Sequence, residues 1–273
     1  MKIVILSLAL IVAAVAIAAA LGSYLFSRRI AAVHQRLQTA ARPVDVSGRL
    51  PPIVRDFARR ADASPEDLAS SVEFIQSAEM QLKPGQGWQP LQAGQIIATG
   101  APGFLWQARQ SLGPLPKFQV IDAYVGGAGR LHVRLLGLLD IVNATGPHID
   151  RAEALRYLAE LPWAPDAILG NPSISWRMLD DDRAEAVLDV NGQRAVVRFR
   201  FDAAGDIAEV FAPSRPTTDE QGKPADLPWQ GFFRDYRMIG PRRVPYEAEV
   251  GYIHPGGYRA YFQGCITSYS VTH

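Results

Sequence analysis

"RAEAVLDVNGQRAVVRFRF", from Arg183 to Phe201, is the stretch that decides the fold class. Asn191-Gly192 is the strongest two-residue signal for a hairpin turn, because both central positions of a type I′ turn need positive φ. A turn centred there sets Glu185 opposite Arg198 at the far end of the ladder. Side chains of each strand then alternate between a charged face and an apolar face, and the apolar face contains Ala186, Leu188, Ala195, Val197 and Phe199. The stretch therefore predicts an antiparallel sheet with one dry side and one wet side.

The same alternation recurs through most of the chain after Ser71. Runs separated by glycine or proline turns are typical of strands, and they lie at 72–82, 103–110, 117–125, 130–139, 173–179, 184–190, 194–201, 206–213, 229–239, 244–253 and 258–271. Roughly 10–11 antiparallel strands in succession favour one curved sheet or open barrel. We therefore expect a mainly β protein built on a large half-barrel.

One helix is predicted inside this β-rich region. Asp150 with Glu153 three residues later forms a capping-box pattern, so a helix should begin near Arg151 and end before Pro162. A helical wheel separates an apolar face from a face of ion pairs, which consists of Glu153, Arg156 and Glu160. We expect a short helix across the sheet, with Glu160 as a solvated salt-bridge partner.

The N-terminal segment carries no charge between Ile3 and Phe26. Such a run makes about 36 Å of helix, enough to cross a hydrocarbon core of ~30 Å, and it exceeds the roughly 7–15 apolar residues of a cleavable signal. We expect an uncleaved single-pass anchor that meets the membrane through residues 3–26, and a division into an anchor with juxtamembrane helix at 1–44 and a β-rich half-barrel at 45–273. Arg28 and Arg29 favour a cytoplasmic domain, yet long domains translocate with limited regard to charge. Our expectation is an extracytoplasmic domain.

Composition and motifs exclude several classes of function. A formal net charge of +1 gives no field to concentrate a polyanion, so nucleic acid is not expected as a partner. The five histidines show no metal-ligand spacing, and no phosphate-binding loop or nucleophile elbow occurs. The sequence therefore predicts no metal, no cofactor and no catalytic residue, and it leaves the oligomeric state open.

Five side chains are candidates for a ligand-binding rim: Trp163, Trp176, Arg215, Trp229 and Tyr236. Arg215 lies between Pro213 and Pro216, and a stiffly held arginine can grip a carboxylate or phosphate. A salt bridge to Asp219 or Asp226 is the alternative for Arg215. Core packing is the alternative for the tryptophans, since large aromatics dominate concave cores.

The sequence resembles a family of bacterial proteins known only as a domain of unknown function. The resemblance covers most of Val72 to Val271 and is strongest after Asp150. It is carried by RYLAELPWAP, Trp176, RFRFDAAGDI, the arginine of APSRP, PWQGFFRDYR and RVPYEAEV. This family implies no activity and no catalytic residues. The strand alternation and the crossing helix are also similar in architecture to the lipoprotein-carrier (LolA/LolB-like) half-barrel, which implies a concave face that holds acyl chains.

Three functions remain open at this point. The first is a non-catalytic, membrane-anchored domain that binds a lipid or another amphiphile on its concave apolar face. The second is a membrane-tethered enzyme for an envelope substrate, which predicts a polar cleft with two ionisable groups of shifted pKa. The third is a protein-interaction scaffold, which predicts an exposed apolar patch and no pocket.

Overall fold

The structure, a computed structural model, describes residues 2–81, 87–112, 115–136, 138–219, 221 and 223–273. Its α-helices are α1 (Lys2–Gln38), α2 (Pro52–Arg60), α3 (Pro147–Ala159) and α4 (Pro165–Gly170), with single 3-10 turns at Ser47–Arg49 and Leu161–Trp163. Its strands are β1 (Ser71–Met80), β2 (Gln89–Ala98), β3 (Gly103–Leu112), β4 (Leu115–Val125), β5 (Ala128–Leu135), β6 (Leu139–Ala144), β7 (Ser175–Met178), β8 (Arg183–Val190), β9 (Gln193–Phe201), β10 (Ile207–Thr218), β11 (Pro224–Ile239), β12 (Arg242–His254) and β13 (Gly257–Thr272).

These strands form one antiparallel sheet that curls into a half-barrel. Consecutive strands are also sheet neighbours, except for β6 and β7, which form the two edges, and at the centre the first strand β1 pairs with the last strand β13. The chain therefore starts at the centre of the sheet and winds outward to the edge strand β6. It then crosses to the opposite edge at β7 and winds back to the centre. The mainly β half-barrel expected from the sequence is confirmed.

The crossing from β6 to β7 is made by α3, which lies in the trough of the sheet, and by α4, which packs against α2. Helix α3 packs against β4 and β5 on one side and against β8, β9 and β10 on the other. Leu155, Tyr157 and Leu158 are completely enclosed. A helix with apolar contacts on nearly all sides belongs to a core. Helix α3 therefore joins the two arms of the half-barrel, which are the strands β1–β6 and the strands β7–β13.

The hairpin at Asn191-Gly192 has the register that the sequence predicts. Asn191 and Gly192 both have positive φ, 53° and 81°, and the ladder runs to Glu185 opposite Arg198. The apolar side of the two strands lies in the main hydrophobic core. On the other side, Arg198 Nε lies 3.4 Å from a carboxylate oxygen of Glu185.

Two strands are not evident in the sequence, so the sheet has thirteen strands rather than ten or eleven. Strand β2 contains Pro90 and Gly94 and has no aromatic residue, so its alternation is weak. Strand β6 reads as a continuation of β5 because the sequence between them has no polar turn residue; the structure places Leu136 there, at positive φ. Leu82 and Gly137, which the alternation assigns to strands, lie outside the described residues.

The predicted start of α3 was also wrong. The helix begins at Pro147, with Gly146 as N-cap and no side-chain capping bond. Asp150 instead accepts a hydrogen bond of 2.7 Å from the backbone N–H of Gly129 on β5. Proline suits the first turn of a helix because its missing N–H would find no partner there, so the helix starts one turn before the apparent capping box.

Helix α1 belongs to the domain over its second half. Phe26 and Leu37 are buried against the convex face of the sheet, in a cluster with Ile96, Ala98, Leu105, Ile121 and Ala123. The first half exposes its leucines, isoleucines and valines, including Leu10, Ile11 and Ile17. One helix of the described chain is thus long and apolar enough to span a membrane. The division of the chain at residue 44 stays a prediction.

Candidate functional site

A cavity lies between α3 and the concave face of the sheet. Its volume is about 70 Å³, and it opens into a cleft that reaches solvent. The walls are mostly aromatic and aliphatic, and comprise Met80, Trp106, Trp163, Val210, Trp229, Phe233, Val250, Tyr261 and Phe262. These side chains come from β1, β3, β10, β11, β12 and β13 and from the 3-10 turn after α3. The cavity therefore lies at the centre of the half-barrel.

An ion pair forms the polar part of the cavity wall. Arg156 and Glu160 are one helical turn apart on α3, with Arg156 Nε 2.8 Å from Glu160 Oε1. The side chain of Gln95 on β2 donates to the other oxygen of Glu160, and Arg156 also binds Asp122 on β4. The guanidinium lies over the ring of Trp106 at 5.2 Å. Both charges are thus fixed by protein partners.

The prediction that Glu160 is solvated is wrong. Glu160 is buried, and burial raises the pKa of its carboxyl above 4.5 although the charge of Arg156 acts in the opposite direction. A helical wheel assumes that one face of a helix meets water. Helix α3 lies inside a trough, so its charged face meets the strands β2 and β4 instead. The i, i+4 pairing of Arg156 with Glu160 is confirmed.

A second buried cluster joins Asp122, Glu153 and Arg215 beside the cavity. Glu153 is completely desolvated, and burial together with the charge of Asp122 raises the pKa of its carboxyl well above 4.5. One oxygen of Glu153 and one of Asp122 lack a hydrogen-bond donor among the described residues. A proton on Glu153, which the raised pKa favours, would give Asp122 a hydrogen-bond donor. Such a shared proton lets the arrangement avoid two neighbouring buried anions.

The structure brings three of the five predicted rim residues together. Trp163 and Trp229 both line the cavity. The indole N–H of Trp163 donates to the carbonyl of Pro245 at 3.0 Å, and that of Trp229 donates to the hydroxyl of Tyr261 at 3.1 Å. The guanidinium of Arg215 lies over Trp229 at 4.8 Å. Trp163 and Trp229 therefore face the cavity, and Arg215 supports one of them from behind.

The position and the partners of Arg215 in the structure differ from those predicted from the sequence. It is buried rather than placed on a rim, and it lies 3.6 Å from Glu153. It also donates to the carbonyl of Ala152 and to the hydroxyl of Tyr252. Asp226, which was the alternative partner, pairs with Arg151 at 3.2 Å. The partners of Arg215 come from α3 and β12. Both elements are distant from Arg215 in the sequence, so sequence patterns alone do not show that they lie beside it.

The other two predicted rim residues lie elsewhere in the core. Trp176 is on the edge strand β7 and packs against Phe199, with ring centroids 5.0 Å apart. Tyr236 packs edge-on against Phe57 of α2 and donates its hydroxyl hydrogen to the carbonyl of Ile207 at 2.8 Å. Neither side chain lines the cavity. A ligand in the cavity would not touch them.

Several residues of the site were not singled out in the sequence. Trp106 donates its indole hydrogen to Gln76 at 3.0 Å, and both line the cavity with Arg156. The available signal was a polar residue in a core-facing position of a strand, such as Gln76 on β1 or Asp122 on β4. Within the described residues, no group of three His, Cys, Asp or Glu side chains could hold a metal ion.

Several solved structures have a backbone fold similar to that of this chain. A domain from Vibrio parahaemolyticus named for outer membrane lipoprotein sorting is 11% identical, with a TM-score of 0.47 over 82% of this chain and 93% of that domain. A LolA superfamily protein from Nitrosomonas europaea is 8% identical, with a TM-score of 0.44 over 81% and 92% of the two chains. A DUF1329 family protein from Desulfovibrio piger is 9% identical, with a TM-score of 0.40 over 79% and 90%.

No curated protein matches the chain. A family model does match, and it spans residues 40–264, from the end of α1 to the middle of β13. The resemblance to an uncharacterised family is thereby confirmed. The chain belongs to the family of unknown function DUF6544.

Proposed function

We propose that the half-barrel binds the apolar tail of a lipid or another amphiphile in the cleft between α3 and the concave face of the sheet. The observation that carries this proposal is the aromatic cavity at the centre of the half-barrel. No chemical step is required of the protein.

The dimensions of the cleft suit part of a lipid. Ligand pockets have volumes of roughly 300–1,000 Å³, whereas the cavity in this structure has about 70 Å³ and has room for only part of an acyl chain. We infer that the open cleft takes most of the tail and that the end of the tail enters the cavity as its walls move apart.

The wall chemistry favours an apolar group in the inner cavity. The polar groups there are already bonded to each other, as Arg156 is to Glu160 and Trp229 to Tyr261. Burial of apolar surface against Trp163, Trp229 and Phe233 is therefore the main gain from binding. The polar head of the ligand would remain outside the cavity.

The proposal is tested with a photoactivatable fatty acid in lipid nanodiscs that contain the full chain. Crosslinks identified by mass spectrometry are expected on Trp106, Trp163 or Trp229. Ala248 lines the cavity, so Ala248→Leu should fill part of it and reduce these crosslinks several-fold. Ala203→Leu is the matched control, because Ala203 lies in an exposed turn. Equal crosslinking of both variants, or crosslinks confined to α1, would refute binding in the cavity.

We propose further that α1 anchors the protein as a single-pass helix and that the half-barrel lies on the extracytoplasmic side. The exposed apolar side chains in the first half of α1 support the anchor. Accessibility of an engineered cysteine in place of Ala203 to a membrane-impermeant maleimide, in intact spheroplasts, tests the side. Labelling only after lysis would contradict an extracytoplasmic domain.

An enzymatic role is the second candidate, favoured by the buried acids of α3. Glu160 lines the cavity with a raised pKa, and Glu153 lies close behind it with a carboxyl pKa that is raised as well. Raised carboxyl pKa values are typical of general acids. Slow hydrolysis of acyl esters that is lost in Glu160→Gln but kept in the exposed-site variant Glu247→Gln would support this role. An equal rate in both variants would count against it.

A further inference from the structure

We propose that the hairpin formed by β5 and β6 lies in the interfacial region of the same bilayer that α1 crosses. This inference rests on the proposed anchoring by α1. It adds a second contact between the domain and the membrane, and it fixes which end of the half-barrel faces the lipid.

The first step is the length of α1 that is free to enter lipid. Phe26 is 1% exposed and packs edge-on against His132 of β5, with ring centroids 5.1 Å apart. The helix is therefore packed against the sheet from Phe26 onward, and the first of its described side chains to be buried is Ala19, which is 6% exposed. Lys2 to Leu21 makes about 30 Å of helix, which is the thickness of one hydrocarbon core. The membrane boundary thus falls at about Gly22, shorter than the span of residues 3–26 taken from sequence alone.

The second step is the position of the hairpin at that boundary. Arg134 of β5 donates to the backbone carbonyl of Gly22 at 2.8 Å, and its guanidinium lies over the ring of Phe26 at 5.2 Å. Asp140 of β6 holds Arg134 and His132 at 3.0 and 2.9 Å. These contacts fasten the hairpin to α1 at the level where the helix leaves the domain.

The third step is the surface that the hairpin presents. Leu139 and Ile141 are 59% and 54% exposed, and Leu136 in the turn is exposed as well. An exposed apolar edge strand is a template for aggregation in water. In the interfacial region these side chains would enter lipid, while Arg134 stays at the headgroups.

Charge and aromatic residues near the boundary support a bilayer as the occupant of this surface. Arg28 and Arg29 are exposed on the first turns after the boundary, where lipid phosphates would lie. Tyr24 is exposed and accepts a hydrogen bond of 3.1 Å from Arg28. Tyrosine is enriched at membrane interfaces, and arginine side chains near the end of a spanning helix reach the lipid headgroups.

Contact of the hairpin with the bilayer would also determine which end of the cleft faces the lipid. Met80 and Phe262 line the cavity and form the last pair between β1 and β13. The ladders from β1 through β2, β3 and β4 to β5 place that end of the strands on the same side as the turn at Leu136. A hairpin resting on the bilayer would therefore turn this end of the cleft toward the lipid.

The test uses the full chain with Cys265→Ser and one new cysteine at a time, in vesicles of phosphatidylcholine and phosphatidylglycerol. An environment-sensitive fluorophore is attached at Leu139→Cys, at Ile17→Cys or at Ala203→Cys, and nitroxide-labelled lipid serves as quencher. We expect the Leu139 probe to be blue-shifted and quenched several-fold more than the Ala203 probe. The Ile17 probe reports on anchoring itself.

The outcomes separate the two ideas. Quenching at Ile17 with a Leu139 probe as weakly quenched as the Ala203 probe would overturn the hairpin contact and leave the anchor intact. Absence of quenching at Ile17 would overturn both. A blue shift at Leu139 without quenching by the labelled lipid, lost when each vesicle holds a single chain, would assign the surface to a second copy of the protein and also overturn the proposal.

Discussion

At the scale of single residues, the buried charges of α3 are the main feature that sequence patterns misjudge. Glu153, Arg156 and Glu160 follow the spacing of surface ion pairs, and the spacing itself is right. The sequence does not reveal that Asp122 and Gln95 lie beside this ion pair. Both residues come from strands far away in the chain, and they enclose the pair. Burial depends on such long-range neighbours, so local periodicity alone could not find the polar part of the site.

Arg156 compensates several buried carboxylates, so its loss should be severe. Arg156→Met leaves Glu160 and Asp122 without their cation, and breaking a buried ion pair in this way costs about 3–5 kcal/mol. The free energy of unfolding of the full chain in detergent, from denaturant titration, measures the loss. Arg183→Met is the matched control, because Arg183 pairs with Asp180 at an exposed turn. That control should change stability by less than about 1 kcal/mol. Equal effects of the two substitutions would contradict the buried network.

Glu153 should make the stability of the fold depend on pH. Burial and Asp122 raise the pKa of Glu153 in the folded protein above its ordinary value of 4.5. The protonated carboxyl therefore stabilises the fold fully below about pH 4.5, and this contribution is lost as pH rises through the raised pKa. The loss is about 1.4 kcal/mol for every pH unit by which the pKa in the folded protein exceeds that in the unfolded chain.

Glu153→Gln should reduce this dependence, since a neutral carboxamide keeps a donor for Asp122 at every pH. The variant should equal the parent near pH 4.5 and be more stable near pH 8, as measured by unfolding midpoints across that range. Glu247→Gln, on the exposed face of β12, should follow the parent at all pH values. A Glu153→Gln curve parallel to that of the parent would show that Glu153 is ionised in the fold.

At the scale of elements, turn chemistry was the most reliable guide. Asn191-Gly192 fixed a complete ladder, and the turns at Gly126-Gly127 and Pro255-Gly256 also join neighbouring strands. The strands β2 and β6 were missed because β2 has weak alternation and β6 follows an apolar turn. Each therefore lacks one of the sequence signals on which strand assignment depends. The start of α3 was misplaced because Asp150 binds the sheet rather than capping the helix.

The contact of α3 with β5 depends on a glycine. A Cβ at Gly129 would lie 2.6 Å from the carbonyl oxygen of Ile149 in the first turn of α3. Gly129→Ala should therefore force the helix away from β5 and destabilise the protein by about 1–3 kcal/mol. Gly256→Ala is the matched control, since its added Cβ meets only the far end of the Arg259 side chain at 3.6 Å. Similar thermal unfolding of the two variants would show that α3 can shift without loss.

At the scale of the whole molecule, the chain order explains why one helix matters so much. The termini of the domain meet at the centre of the sheet as β1 and β13, while its middle segment links the two edges. The two arms therefore touch at the centre through a strand ladder and across the trough through α3. The sequence predicts the half-barrel and the crossing helix, but it cannot predict that the helix is enclosed by both arms, because that depends on the curvature of the sheet.

This arrangement predicts a gradient of protection against hydrogen exchange rather than two separate units. Strands β1 and β13 have partners on both sides and carry enclosed residues such as Val72 and Ile266, so their amides should exchange most slowly. The edge strand β7 should exchange first, because it has only one neighbouring strand and, unlike β6, is not proposed to lie at the bilayer. Exchange of the full chain in nanodiscs, followed by mass spectrometry, measures both.

Because α3 packs against β4 and β5 as well as β8 to β10, partial unfolding of one arm should expose the other. In Gly129→Ala the amides of β8 and β9 should therefore lose protection together with those of β5, although the substitution lies on β5 itself. Gly256→Ala should leave all three strands as protected as in the parent. Loss of protection confined to β4, β5 and β6 would mean that the arms open independently. Helix α3 would then stabilise only one of the two arms.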